Sequence, residues 1–248
     1  MNLKNTLAAI SALALALCCV SCEKKEEVVA SLPEMTEKGV SELISPAEDS
    51  EEYSLGEYYF SPNGVKLYFG DDTIPNELML ALESYFLTLQ NEDFEGYKNS
   101  LYPDYAERYD KYLREEYSGT MEGSDEYTLE NSFEMQCANL RNMLIDTITY
   151  ESETEQELSG NYKITRIRAE RPVFEEGETE ESYIESFFSY LSETLDVDYQ
   201  KIVTDDADGV ECLTFFVIVE GEDGQEHKIV NEMNIFFVLK DGKYYTFG

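Results

Sequence analysis

The chain has 248 residues and a formal net charge of −35, from 53 acidic against 18 basic side chains. A surface this acidic repels polyanions and anionic lipid headgroups, which excludes nucleic acid as a partner and excludes membrane contact driven by surface charge. With 42% hydrophobic residues and 13% aromatics, mostly the 19 tyrosines, the chain still holds the material for a core.

Residues 1–21 begin with a positive residue, Lys4, and continue into an apolar run from Leu7 to Val20. That run is shorter than the roughly 20 residues a helix needs to span a bilayer, which is the shape of a secretory signal. It stops at Val20-Ser21-Cys22 and is followed at once by Glu23-Lys24-Lys25-Glu26-Glu27. A small residue directly before a cysteine at the end of such a run resembles the lipobox of bacterial lipoproteins. Cys18 and Cys19 fit it less well, because Leu17 and Cys18 precede them, and Cys19 stands where the family usually shows Leu three positions before the modified cysteine. The resemblance implies that residues 1–21 are removed as a signal peptide and that Cys22 becomes the N-terminus and the lipid attachment site. The partner so implied is a bacterial membrane, reached through the N-terminal lipid, with the body on its extracytoplasmic side. Two acyl chains hold firmly where one is marginal, since each buried methylene contributes about 0.8 kcal/mol.

Residues 22–52 carry Glu, Lys, Ser and Pro with no sustained period and read as a flexible acidic tether. Residues 53–73 read as a β-hairpin lead-in. Tyr58-Tyr59-Phe60 and Val65-Lys66-Leu67-Tyr68-Phe69 flank Ser61-Pro62-Asn63-Gly64, and Asn-Gly readily takes the positive φ angles of a tight turn.

Residues 74–248 form the main domain, beginning with helical patterns. The first opens at Asp72-Thr73 with Pro75 in its first turn and places Leu78, Leu82, Tyr85, Phe86 and Leu89 on one stripe. The second starts near Pro103 and repeats Tyr105, Tyr109, Tyr112, Leu113 and Tyr117. The third follows a Thr128 cap with Leu129, Phe133, Cys137, Leu140 and Leu144. The fourth, near 179–195, carries Ile184, Phe187, Phe188, Leu191 and Leu195, with Ser182 and Glu185 spaced as a capping box. Between the third and fourth, Tyr162 to Arg171 reads as a strand.

The last forty residues read as sheet. Val210 to Glu220 is apolar on both faces, as a central strand should be. Gly221-Glu222-Asp223-Gly224 turns the chain, and Lys228 to Lys240 alternates with Ile229, Met233, Ile235, Phe237 and Leu239 on one side. Asp241-Gly242 turns again into Lys243–Phe247. The expected class is α+β, with N-terminal helices on a curved antiparallel sheet.

The segments ALESYFLTLQNEDFEGYKNSLYPDY and FFVLKDGKYYTFG resemble the nuclear-transport-factor-2-like superfamily over residues 74–248. That resemblance implies a cone of curved sheet around the helices, with a pocket at its open end and the 178–195 helix as an insertion. The superfamily includes isomerases, dehydratases, ligand-binding domains and interaction modules, so fold alone leaves activity open. Its isomerases use an Asp base and a Tyr donor in the cone, and neither matches a particular residue here.

No catalytic, cofactor or metal site is read from the residues. His227 is the single histidine, between Glu226 and Lys228 at an expected turn edge, and no Ser-His-acid set or G-x-S-x-G surrounds it. No glycine-rich phosphate loop is present. Zinc would need grouped Cys and His, whereas only Cys137 and Cys212 remain beyond Cys22; they read as two buried small hydrophobes, with a disulfide between them, which export permits, as the alternative. Thr204-Asp205-Asp206-Ala207-Asp208-Gly209 resembles a calcium loop only faintly, because Phe215 occupies the twelfth position where a bidentate Glu belongs. It reads as an acidic turn before a strand. The tyrosine stripe of the second helix reads as a half-buried amphipathic face, with a carbohydrate or peptide groove as the alternative. The expectation for function is therefore a non-enzymatic binding or interaction module for a small ligand, peptide or protein. The alternatives are an isomerase or dehydratase with a cone-lining Asp and Tyr, and a structural envelope lipoprotein.

Overall fold

The computed structural model describes residues 32–117, 137–142, 161–175, 177–222 and 224–247. Cys22, the expected signal segment and most of the third expected helix lie outside the described residues. Residues Pro33–Gly248 make one compact unit of α+β class.

Its hairpin, β1 (Tyr59–Phe60) and β2 (Lys66–Phe69), pairs antiparallel around Gly64, whose φ of 82° gives the turn its left-handed residue. Then come α1 (Asn76–Gln90), α2 (Phe94–Ser100) and α3 (Tyr105–Tyr117), and a helical piece, α4, at 137–142. The rest is β3 (Tyr162–Glu170), α5 (Glu180–Leu195), α6 (Tyr199–Asp206), β4 (Gly209–Gly221), β5 (Glu226–Lys240) and β6 (Lys243–Thr246). Asp241 and Gly242 both have positive φ, 52° and 74°, so the β5–β6 connection is the tight turn that Asp-Gly favours.

The six strands among the described residues form one sheet in sequential order. The sheet is mixed, not antiparallel throughout: β2 runs parallel to β3, with Leu67 opposite Ile167. After the hairpin the chain passes through the helices before it returns as β3, and that long crossover permits the parallel pairing. Gly70 closes the pair. Its N–H donates to the Ala169 carbonyl at 2.8 Å, and a Cβ there would meet Glu170 Cβ at 2.6 Å.

Helices cover both faces of the β4–β5 region. On one face Phe86 of α1 packs against Phe215, ring centroids 5.2 Å apart. On the other, Phe187 of α5 stacks on Phe236 at 4.1 Å, 15° from parallel. Ile235, Phe236, Phe237 and Val238 are consequently all buried. Two register shifts in the β4–β5 ladder break the expected alternation further upstream: Ile229 and Val230 are both buried, while Met233 is 57% exposed.

The expected tether ends sooner than residue 52. Val40 is fully buried, and Ile44 and Tyr58 exchange two backbone hydrogen bonds at 2.9 and 3.0 Å. Hydrophobic side chains spaced along a polar segment are enough to fold 33–50 along the outer edge of β1.

Candidate functional site

A half-open cleft of about 800 Å³ lies where α5, α6 and the start of β4 meet the 171–174 connection. Its floor is apolar, from Ile184 and Phe188 of α5, Val203 of α6 and Val210 of β4. Among the described residues its border carries Glu180, Glu181, Glu185, Asp208 and Glu211, with Arg171 as the one cation.

Local capping sets each wall. Thr179 caps α5: its Oγ1 accepts from the Ser182 N–H at 3.1 Å, and Ser182 Oγ accepts from the Thr179 N–H at 3.0 Å. The capping box is therefore Thr179 with Ser182, not Ser182 with Glu185, and the helix starts one turn earlier than that pair implied. Asp196 ends α5 in the left-handed region at φ 51°. Asp198 then caps α6 by accepting from the Lys201 N–H at 3.0 Å, while Ser192 Oγ accepts from the Tyr199 N–H at 2.9 Å and ties the two helices together. The Asp208 N–H donates to the Leu239 carbonyl at 2.7 Å, which delivers the chain into β4. At one end Arg171 donates to Glu211 at 2.5 Å.

The acidic stretch 204–209 is thus not one turn. Thr204 to Asp206 finish α6, where Lys240 pairs with Asp206 at 3.0 Å, and Gly209 already belongs to β4. Among the described residues no three His, Cys, Asp or Glu side chains gather as metal ligands. His227 is the second residue of β5, opposite Val219 and half-buried, just past the turn that ends at Gln225. Cys137 and Cys212 are unbridged and fully buried; burial pushes the first thiol up to about 11 and the second to about 12.

The tyrosine stripe of α3 forms a ladder packed into the body. Tyr105 stacks on Tyr109 at 5.5 Å and meets Phe247 at 5.1 Å and Tyr199 at 6.2 Å, and Tyr109 stacks on Tyr112 at 6.2 Å. Tyr105 is buried and Tyr109 and Tyr112 are half-buried, so their rings serve packing; the side chains of Leu113 and Tyr117 lie outside the described residues. Phe247 is the hub, touching Tyr102, Phe187, Phe188 and Tyr199 as well.

A second cleft of about 630 Å³ lies between the 38–57 segment and the start of α1, with Lys38 and Arg168 facing Glu57, Asp72 and Glu77. Its charges are mixed, where those of the first are nearly all negative. No helix among the described residues is long and apolar enough to cross a membrane.

No family model, curated protein or solved structure matches this chain. The functional reading therefore rests on the cleft and on the sequence.

Proposed function

We propose that the protein is an extracytoplasmic lipoprotein, anchored through Cys22, whose folded unit is a non-enzymatic binding module with the 800 Å³ cleft as its ligand site. The observation that carries the reading is the cleft itself. Its size falls in the range of small-ligand sites, and an apolar floor with polar groups at the border is the composition such sites share. In this proposal α1 on the sheet keeps the cone-like plan of the nuclear-transport-factor-2-like superfamily. Support comes from the Phe86–Phe215 contact and the aromatic strand that closes the sheet. The 178–195 helix, an insertion in that plan, adds a second covered face and with it the cleft.

An isomerase of that superfamily would need an Asp and a Tyr converging on one cavity. Asp208 borders this cleft without a tyrosine among the described residues, while Asp72 shares the second cleft with Tyr59; both carboxylates are exposed, where a general base needs a desolvated setting.

The test is a thermal-shift screen of amphipathic small molecules and short peptides, because a ligand of the folded state raises stability by RT ln(1 + [L]/Kd). Hits should lose their shift in Ala207→Trp, which places a large ring on the cleft lining and obstructs it, and should be recovered chemically unchanged. Hits that survive Ala207→Trp contradict the site, and a converted ligand contradicts the non-enzymatic reading. Cys22→Ala should abolish labelling with an alkyne fatty acid and release the protein from membranes; persistent labelling contradicts the anchor.

A further inference from the structure

The border of the cleft carries charge of almost one sign. Among the described residues five carboxylates face a single guanidinium, Arg171, and Glu211 already holds that group. Glu180, Glu181, Glu185 and Asp208 are exposed and make no ion pair among the described residues. Two of the four have a structural reason for their place: Glu180 and Glu181 lie in the first turn of α5, where the helix dipole favours negative charge. Glu185 and Asp208 have none. Glu185 lies beyond the first turn, and Asp208 stands on the connection into β4, so both add charge to the mouth that the fold does not require.

Resting on the reading of this cleft as the binding site, we infer that its ligand is a basic peptide segment in which an apolar side chain sits beside lysine or arginine. Charge complementarity selects a cation. The apolar floor of Ile184, Phe188, Val203 and Val210 selects an apolar group between the cations. The carboxylates come from separate elements around a half-open mouth, so one small amine meets only part of them, whereas a segment with several basic side chains meets them together. Exposed ion pairs are individually weak and screened by salt. The floor therefore supplies affinity, and the border supplies selection, on-rate and salt dependence.

The experiment measures fluorescence anisotropy with the full chain in non-ionic detergent and a fluorescein-labelled pentapeptide alternating lysine with leucine. Versions with glutamine or glutamate for lysine complete the set. The lysine peptide should bind, more weakly at roughly 200 mM than at roughly 20 mM salt, and the glutamate peptide should not. Glu185→Gln/Asp208→Asn should weaken it by about tenfold, while Glu48→Gln/Asp49→Asn, equal in charge and outside the cleft, should change it by less than about twofold. Thermal unfolding of both variants should match the parent, since all four side chains are exposed. Equal weakening by the two variants would show general attraction to an acidic protein and overturn the inference. Glutamine or glutamate peptide binding in preference to lysine peptide overturns the ligand class and leaves the cleft standing as a site. No binding by any peptide, with no cleft-dependent hit in the thermal-shift screen, overturns both.

Discussion

Glu83 lies on the buried side of α1 at 1% exposure, under the turn of the β1–β2 hairpin. Ser61 Oγ donates to its Oε1 at 2.5 Å and Asn63 Nδ2 at 3.2 Å, while Ser61 Oγ also accepts from the Asn63 and Val65 N–H groups at 3.2 Å. The carboxyl thus locks a turn onto a helix. Burial raises it above the usual carboxylate range, against the two hydrogen bonds, which lower it. A carboxyl raised on folding contributes stability that is present below its unfolded value and is lost as pH rises through its folded value. Glu83→Gln keeps the acceptor and mimics the protonated form. It should therefore be more stable than the parent at pH 7, and the difference should shrink as pH falls toward 4; denaturant midpoints at the two pH values check this. A variant less stable than the parent at pH 7 but not at pH 4 contradicts it. The thiols make a second prediction at this scale. Thiolate is the reactive form, and burial holds Cys137 and Cys212 well above neutral pH, so Ellman's reagent should label both only after denaturation. Rapid labelling of the folded protein would contradict their burial.

Among the elements, those with long apolar stripes were legible in the sequence. All five residues of the α1 stripe are buried, and Phe86→Ala should lower stability by about 3–5 kcal/mol in denaturant melts; a loss below about 1 kcal/mol would contradict its place against Phe215. Short helices were not legible. α2 spans 7 residues and α6 spans 8, too few for a period to stand out, and each rests on an aspartate cap, Asp93 and Asp198, among many other acids. Capping of α5 was legible in kind but not in register, because Thr179–Ser182 and Ser182–Glu185 share one spacing. Thr179→Ala should lower stability by about 1 kcal/mol and loosen the cleft wall, whereas Glu185→Ala should leave stability nearly unchanged. The reverse order would restore the Ser182–Glu185 box. Met233 fits the alternation of β5, but register shifts depend on how β4 packs beside it and leave no mark on its own sequence.

For the whole molecule, the α+β class was readable from helices preceding strands, while the parallel β2–β3 pair was not, since pairing direction depends on where a long crossover lands. Packing of the 33–50 segment beside the hairpin was hidden for a similar reason: Val40 reads as an isolated apolar residue until the hairpin lies beside it. The cleft was the least legible feature. It joins Thr73, the 171–188 stretch and residues 200–211, and its acids are indistinguishable in sequence from the rest of an acidic surface. Only packing of α5 against the second face of the sheet, through Phe187 on Phe236, brings them around one opening. The most direct test of the cleft as the ligand site is methyl NMR during titration with the lysine–leucine peptide, comparing Ile184, Val203 and Val210 on its floor with Leu43 and Ile74 at the second cleft. The floor methyls should shift saturably while Leu43 and Ile74 stay still; shifts at Leu43 and Ile74 with an unmoved floor would contradict the account.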